Sequence, residues 1–369
     1  MTQIYDIHRS WQWNLEHAPE PAASCMAAPL LAPLPGRWTW CGIPVASPLG
    51  MPAGPLLNGR WVLHYARLGF DILVYKTVRS SERPCYPLPN LVPVKTDPLQ
   101  GAGRTVPAAT EMDGSWAVSF GMPSQSPDVW RRDVEQTRQQ LSEGQVLVVS
   151  VVGTQDESLT DPDASLEQLA DDFATCARWA MDSGAHGVEA NFSCPNVATA
   201  DGQLFQHPQA AAKVARRIRD AIGPAPLVLK IGKVSSAKAV AELLQHVGPL
   251  ANGLAMTNSI SARVSDTEGN LLFDGQPRGI CGAATRATSV AQTRLFRQAL
   301  QATGLSLDLI GVGGISTTAH VREYLEAGAT SVAVASAAMR DPELAQRIRH
   351  DFTRTMANRS SSGPSGSRP

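Results

Sequence analysis

The sequence predicts an α/β fold, a (β/α)8 TIM barrel, on three observations. Short β-rich runs alternate with helical patterns along most of the chain, the helical stretches have the length of crossover helices, and glycine-bearing loops follow late strands. Strand then helix, repeated, builds a largely parallel sheet. At 369 residues a closed eightfold barrel with insertions accounts for this regularity better than an open doubly wound sheet.

Candidate strands cover residues 44–48, 71–76, 116–120, 145–152, 187–191, 227–232, 253–258, 307–311 and 331–335. This is one strand too many for the barrel. The run 116–120 is therefore placed in a long inserted active-site segment, because residues 79–130 otherwise carry turn signals and no helical pattern. Helices are expected over 165–183, 207–222, 235–247, 289–302, 317–326 and 342–356, several with apolar positions three or four apart. Pro208 and Pro342 suit first turns, where proline forfeits no intrahelical hydrogen bond. Before the barrel, prolines 19, 21, 29, 33 and 35 break helices, so residues 1–40 read as an irregular arm packed through its tryptophans. The barrel domain is expected over 41–357, and the Ser- and Gly-rich residues 358–369 read as a flexible tail.

Apolar residues make up 43% and charged residues 18%, a globular composition. The formal net charge of -1, with no long run of either sign, offers no electrostatic footprint for nucleic acid. Six cysteines lie scattered without a CxxC pair, which suits a reducing compartment. The first residues lack the order of a secretory signal, and no stretch reaches the roughly 18 apolar residues of a spanning helix. Cytoplasmic residence without a membrane is the expectation. Eight histidines form no HExxH or similar arrangement, so no metal site is expected.

The chemistry-bearing residues fall at strand ends. Asn191-Phe192-Ser193-Cys194-Pro195-Asn196 follows the strand 187–191 and places two amides, a hydroxyl and a thiol together. Gly313 and Gly314 join the strand 307–311 to a helix, and Ala335-Ser336 follows the next strand. Such paired late loops expose backbone N–H groups to a phosphate, although tight turns alone account for either one. Ala53 and Gly54 follow the first strand and leave room for a flat ring, and Gly282 adds a contribution from a longer loop. Lys76 and Lys230 end or lie within apolar strands. Each is costly there unless it serves a ligand or pairs with an acid such as Glu189. Asn258 can both donate and accept toward a ring, or cap a local turn.

These segments resemble the dihydroorotate dehydrogenase family, particularly its soluble class 1 branch, over roughly residues 43–352. The resemblance rests on 191–196, Tyr75-Lys76-Thr77, Thr257-Asn258-Ser259 and Ile310-Gly311-Val312-Gly313-Gly314-Ile315. It implies noncovalent FMN, with Ala53, Gly54, Lys76, Thr77, Lys230 and Asn258 around the ring and ribityl chain. Gly282, Gly313, Gly314, Ala335 and Ser336 are then placed toward the phosphate. It further implies Cys194 as acid/base with Lys76 beside it in the catalytic set, and Asn191, Ser193, Asn196, Asn258 and Ser259 around a cyclic amide or imide substrate. An external electron acceptor or donor and a homodimer complete the expectation.

Two positions depart from the family pattern. Val118 stands where the family has a substrate-gripping asparagine, and Ser124 where it has another. An ene-reductase or dehydrogenase of specialised metabolism acting on a different ring is therefore the alternative. A phosphate-binding aldolase or isomerase using a lysine imine, and a noncatalytic flavin-binding protein, are more remote ones.

Overall fold

The computed structural model describes residues 5–19, 31–112, 114–156, 158–193 and 203–361, without side chains from 355 onward. An antiparallel hairpin of β1 (Trp38–Trp40) and β2 (Ile43–Val45) precedes the barrel strands β3 (Leu49–Met51) and β4 (Ile72–Val78). The chain then leaves the barrel for β5 (Leu91–Pro93), β6 (Arg104–Pro107) and β7 (Ser115–Val118). It returns through β8 (Val146–Val151), β9 (Gly187–Asn191), β10 (Leu227–Lys230) and β11 (Gly253–Met256). A second excursion makes β12 (Ile260–Ser265) and β13 (Arg278–Gly282), and β14 (Asp308–Val312) and β15 (Ser331–Ala333) close the ring. The eight barrel strands pair in parallel throughout, which is the fold the alternation predicts.

Strands such as Ile72–Val78 and Val146–Val151 are buried along their whole length, because one face meets the barrel interior and the other the helices. Inside, Ile72, Val74, Val146, Val148, Val228 and Ile310 pack with Trp40 and Val45 of the hairpin. The hairpin thus plugs the N-terminal end. A Cβ on Gly187 would lie 2.8 Å from the Trp40 ring, and the Cys41 N–H donates to Asp308 Oδ2 at 2.6 Å. At the opposite end the two excursions join as one five-stranded sheet in the order β5-β7-β13-β12-β6.

Several expectations are corrected. The first barrel strand is Leu49–Met51, whereas residues 44–48 fall partly in the edge hairpin, where Pro44 forfeits no barrel hydrogen bond. Gly282 ends strand β13 instead of lying in a loop. Helices Gly59–Arg67 and Pro127–Arg138 were not expected. The second buries only Trp130, Val134 and Thr137, a stripe too narrow to stand out among its charges. Pro208 does open its helix, but Pro342 lies in the turn before Leu344–Ser361. That last helix carries through residues 358–361 of the expected tail, and the N-terminal arm contains the short helix Trp11–Glu16, capped by Ser10. Among the described residues no helix is long and apolar enough to cross a membrane.

Candidate active site

A cavity of about 650 Å³ opens at the C-terminal ends of the barrel strands, walled on its outer side by the five-stranded sheet. Lys76 enters it from β4, where a register shift between Tyr75 and Val78 interrupts pairing with β8. Tyr75 points the other way and donates its hydroxyl to Asp133 at 2.6 Å, as strand alternation requires. Thr77, also on the cavity wall, shares a 3.0 Å hydrogen bond with Ser150. Lys230 is the last residue of β10 and is 3% exposed. Its ammonium lies 3.6 Å from Glu189 Oε1 on neighbouring β9. The lysine therefore lines the cavity and forms the ion pair with Glu189 at once. The Glu189 oxygen has no hydrogen bond of its own, so each charge depends on the other.

The amides are joined by a hydroxyl. Asn191 Oδ1 accepts from the Ser193 N–H at 3.2 Å and from its Oγ–H at 2.9 Å, while Asn258 Nδ2 donates to that same Oγ. Ser193 is thereby occupied on both sides, and the remaining capacity belongs to Asn191 Nδ2 and Asn258 Oδ1. The strand end bearing Asn258 is tied from behind by two residues that sequence reading did not single out. Ser289 accepts from Thr257 N at 2.9 Å and donates to Val312 O at 2.6 Å. Gln292 donates to Thr257 Oγ1 at 3.3 Å and also to Gly232 O at 2.9 Å, while accepting from Val234 N at 2.7 Å. Their signal was polarity on the buried face of a helix.

Gly282, Gly313 and Gly314 form a cradle. Gly314 has φ +64°, and a Cβ there would lie 2.9 Å from Gly282 O and 2.7 Å from Arg286 Cβ. Gly313 has φ +128°, and a Cβ would meet Thr285 Oγ1 at 2.6 Å. Tyr324 fixes this turn by donating to Gly313 O at 2.7 Å, and Thr285 donates to Gly282 O at 2.9 Å. Ala335 and Ser336 line the same cavity where a short helix, Ser336–Arg340, begins. Ala53 and Gly54 line it after β3, with open space where a Gly54 Cβ would project.

On the sheet side, Val118 and Ser259 line the cavity together with Ser119, Arg278 and Cys281. Burial pushes the Cys281 thiol up to about 11, with Lys230 opposing, and the thiol donates to Asn258 O at 3.7 Å. Ser124 is absent from the wall. Its hydroxyl accepts from Arg79 N at 3.1 Å and donates to Gln125 O at 2.9 Å, which makes it part of a buried turn. Cys194 and Asn196 lie outside the described residues.

A family model described as dihydroorotate dehydrogenase matches residues 37–356. The chain belongs to the dihydroorotate dehydrogenase family. A dihydroorotate dehydrogenase of Dictyostelium discoideum is 31% identical over 362 residues, covering 93% of this chain and 96% of the relative. The catalytic subunit of a Bacillus pumilus dihydroorotate dehydrogenase B (NAD(+)) is 29% identical over 174 residues, covering 47% of this chain and 54% of that one. In fold, the chain is similar to an Eimeria tenella dihydroorotate dehydrogenase solved with ferulenol. The TM-score is 0.71 at 16% identity, with 95% of this chain and 92% of that one covered. The chain is a dihydroorotate dehydrogenase-like oxidoreductase, and this kinship favours that class over an aldolase or isomerase.

Proposed function

We propose that this chain binds FMN noncovalently in the cavity and interconverts a C–C and a C=C bond in dihydroorotate or a related cyclic amide or imide. The observation that carries this reading is a single cavity where strand-end lysines and amides meet a three-glycine cradle. The donor set fits FMN. Lys76 and Lys230 suit an electron-rich ring, Asn191 and Asn258 suit alternating N–H and C=O edges, and the cradle admits a phosphate to backbone N–H groups. Ala53, Gly54 and Thr77 would border the ring and ribityl chain, with Ala335 and Ser336 toward the phosphate.

When bound, FMN supplies the capacity to accept or return a hydride. Cys194 removes or restores the proton on the adjacent substrate carbon, a role that suits a thiol because its ordinary pKa of about 8.5 makes thiolate accessible near neutrality. Lys76 keeps positive charge at the reacting end of the cavity. Asn191, Asn196, Asn258 and Ser259 orient the ring, with Ser193 holding two of those amides in place. Membership of pyrimidine metabolism, a cytoplasmic location, a homodimer and an external electron acceptor belong to the same reading.

Purified protein is expected to be yellow, to release FMN on denaturation, and to lose its flavin colour when dihydroorotate is added without oxygen. A colourless protein that takes up no added FMN contradicts the cofactor. A flavoprotein that dihydroorotate leaves oxidised contradicts the substrate.

A further inference from the structure

Val118 stands on the sheet side of the cavity where the resemblance implies an amide, and the next position along the same strand pair carries a cation. Gly279 pairs with Val118 across β13 and β7, which brings the preceding Arg278 beside Ser119. Arg278 Nε donates to Ser119 Oγ at 2.8 Å, and Nη1 donates to Pro277 O at 2.9 Å. The guanidinium lies 4.9 Å from the centre of the Phe273 ring. Phe273 and Asp274 have φ of +57° and +54°, in the left-handed region that non-glycine residues adopt uncommonly.

Ser119 is itself fixed. Its N–H donates to Asn90 O at 2.8 Å, and its carbonyl accepts from Asn90 Nδ2 at 2.9 Å. Arg278 has five N–H donors, of which these contacts use two. Among the described residues no carboxylate forms an ion pair with it. A Cβ on Gly279 would lie 2.5 Å from Ser259 Oγ, so the missing side chain lets Ser259 close up against this corner.

We propose that Arg278, oriented by Ser119 and Phe273, is a specificity-determining residue that binds a carboxylate carried by the ring substrate. A planar guanidinium with unspent donors matches a carboxylate in charge and shape, which the isopropyl group of Val118 cannot do. The ring carboxylate of the substrate already proposed would then be anchored by charge from strand β13. This inference rests on the FMN reading for its placement of the ring, and its test separates the two.

The FMN-loaded protein is titrated with orotate and with uracil, the same ring without the carboxylate, following the change in flavin absorbance. Arg278→Met is expected to weaken orotate about 30-fold, the loss of a charge-assisted contact, while leaving uracil within twofold and flavin content unchanged. Arg278→Lys is expected to recover part of the orotate affinity. Equal orotate affinity in wild type and Arg278→Met overturns the proposal, as do equal losses for both ligands and a flavin-loaded wild type that ignores orotate. If the wild type holds no flavin, the FMN reading fails first. Calorimetry with orotate then decides Arg278 by the same comparison.

Discussion

The cavity has two sides built on opposite plans. The cradle of Gly282, Gly313 and Gly314 consists of backbone, and its geometry depends on positive φ angles and on the absence of Cβ atoms. The sheet side consists of side chains, Val118, Ser119, Arg278 and Ser259, gathered from two excursions far apart in sequence. A backbone site of this kind tolerates few changes. A side-chain wall can exchange one donor for another, and here valine and arginine stand side by side on it.

The first effect is expected in the cradle. Gly314→Val forces a branched side chain toward Gly282 O and Arg286 at a position of φ +64°. FMN affinity should fall by about 100-fold, the loss of one or two hydrogen bonds to a charged group, read as free flavin after gel filtration with circular dichroism unchanged. Retention of flavin at the wild-type level would remove the cradle from the cofactor site.

A second effect is expected at the floor that both sides share. Lys230→Met strands Glu189 as a buried charge and should cost about 3 to 5 kcal/mol in thermal or urea unfolding. Adding Glu189→Gln should restore more than half of the loss, because the stranded charge is removed. A single variant as stable as wild type would show that the pair carries no such mutual dependence.

The smallest effect is expected at Ser124, behind the cavity wall. Ser124→Ala removes a hydroxyl spent on Arg79 N and Gln125 O, so it should lower stability by about 1 kcal/mol and leave orotate binding unchanged. A tenfold change in orotate affinity would place Ser124 in substrate recognition, against its position behind the wall.

The same contrast explains what the sequence made legible. Gly313, Gly314, Lys76 and Lys230 could be read because each lies at the end of an apolar run, where a glycine pair or a charge has few other uses. The strand Leu49–Met51 could not. It is bounded by Pro48 and Pro52 and resembles a turn, and its pairing with β15 and β4 is imposed by the closed ring. Strands β12 and β13 were hidden by the glycines within Arg278–Gly282 and by a partner strand, β7, more than a hundred residues earlier. Arg278 went unnoticed for the same reason, since only that pairing brings it to Ser119. Ser124 shows the reverse case: position in the motif suggested a ligand contact, and its hydrogen bonds turn it into the fold.

The most direct measurement is the anaerobic half-reaction of the purified flavoprotein with dihydroorotate, in wild type and in Cys194→Ala. The wild type should pass to reduced flavin, and the variant should bind FMN equally well but be reduced about 100- to 10,000-fold more slowly, the usual contribution of a positioned acid/base group. Reduction of the variant at the wild-type rate, or no reduction of either by dihydroorotate, would contradict the account.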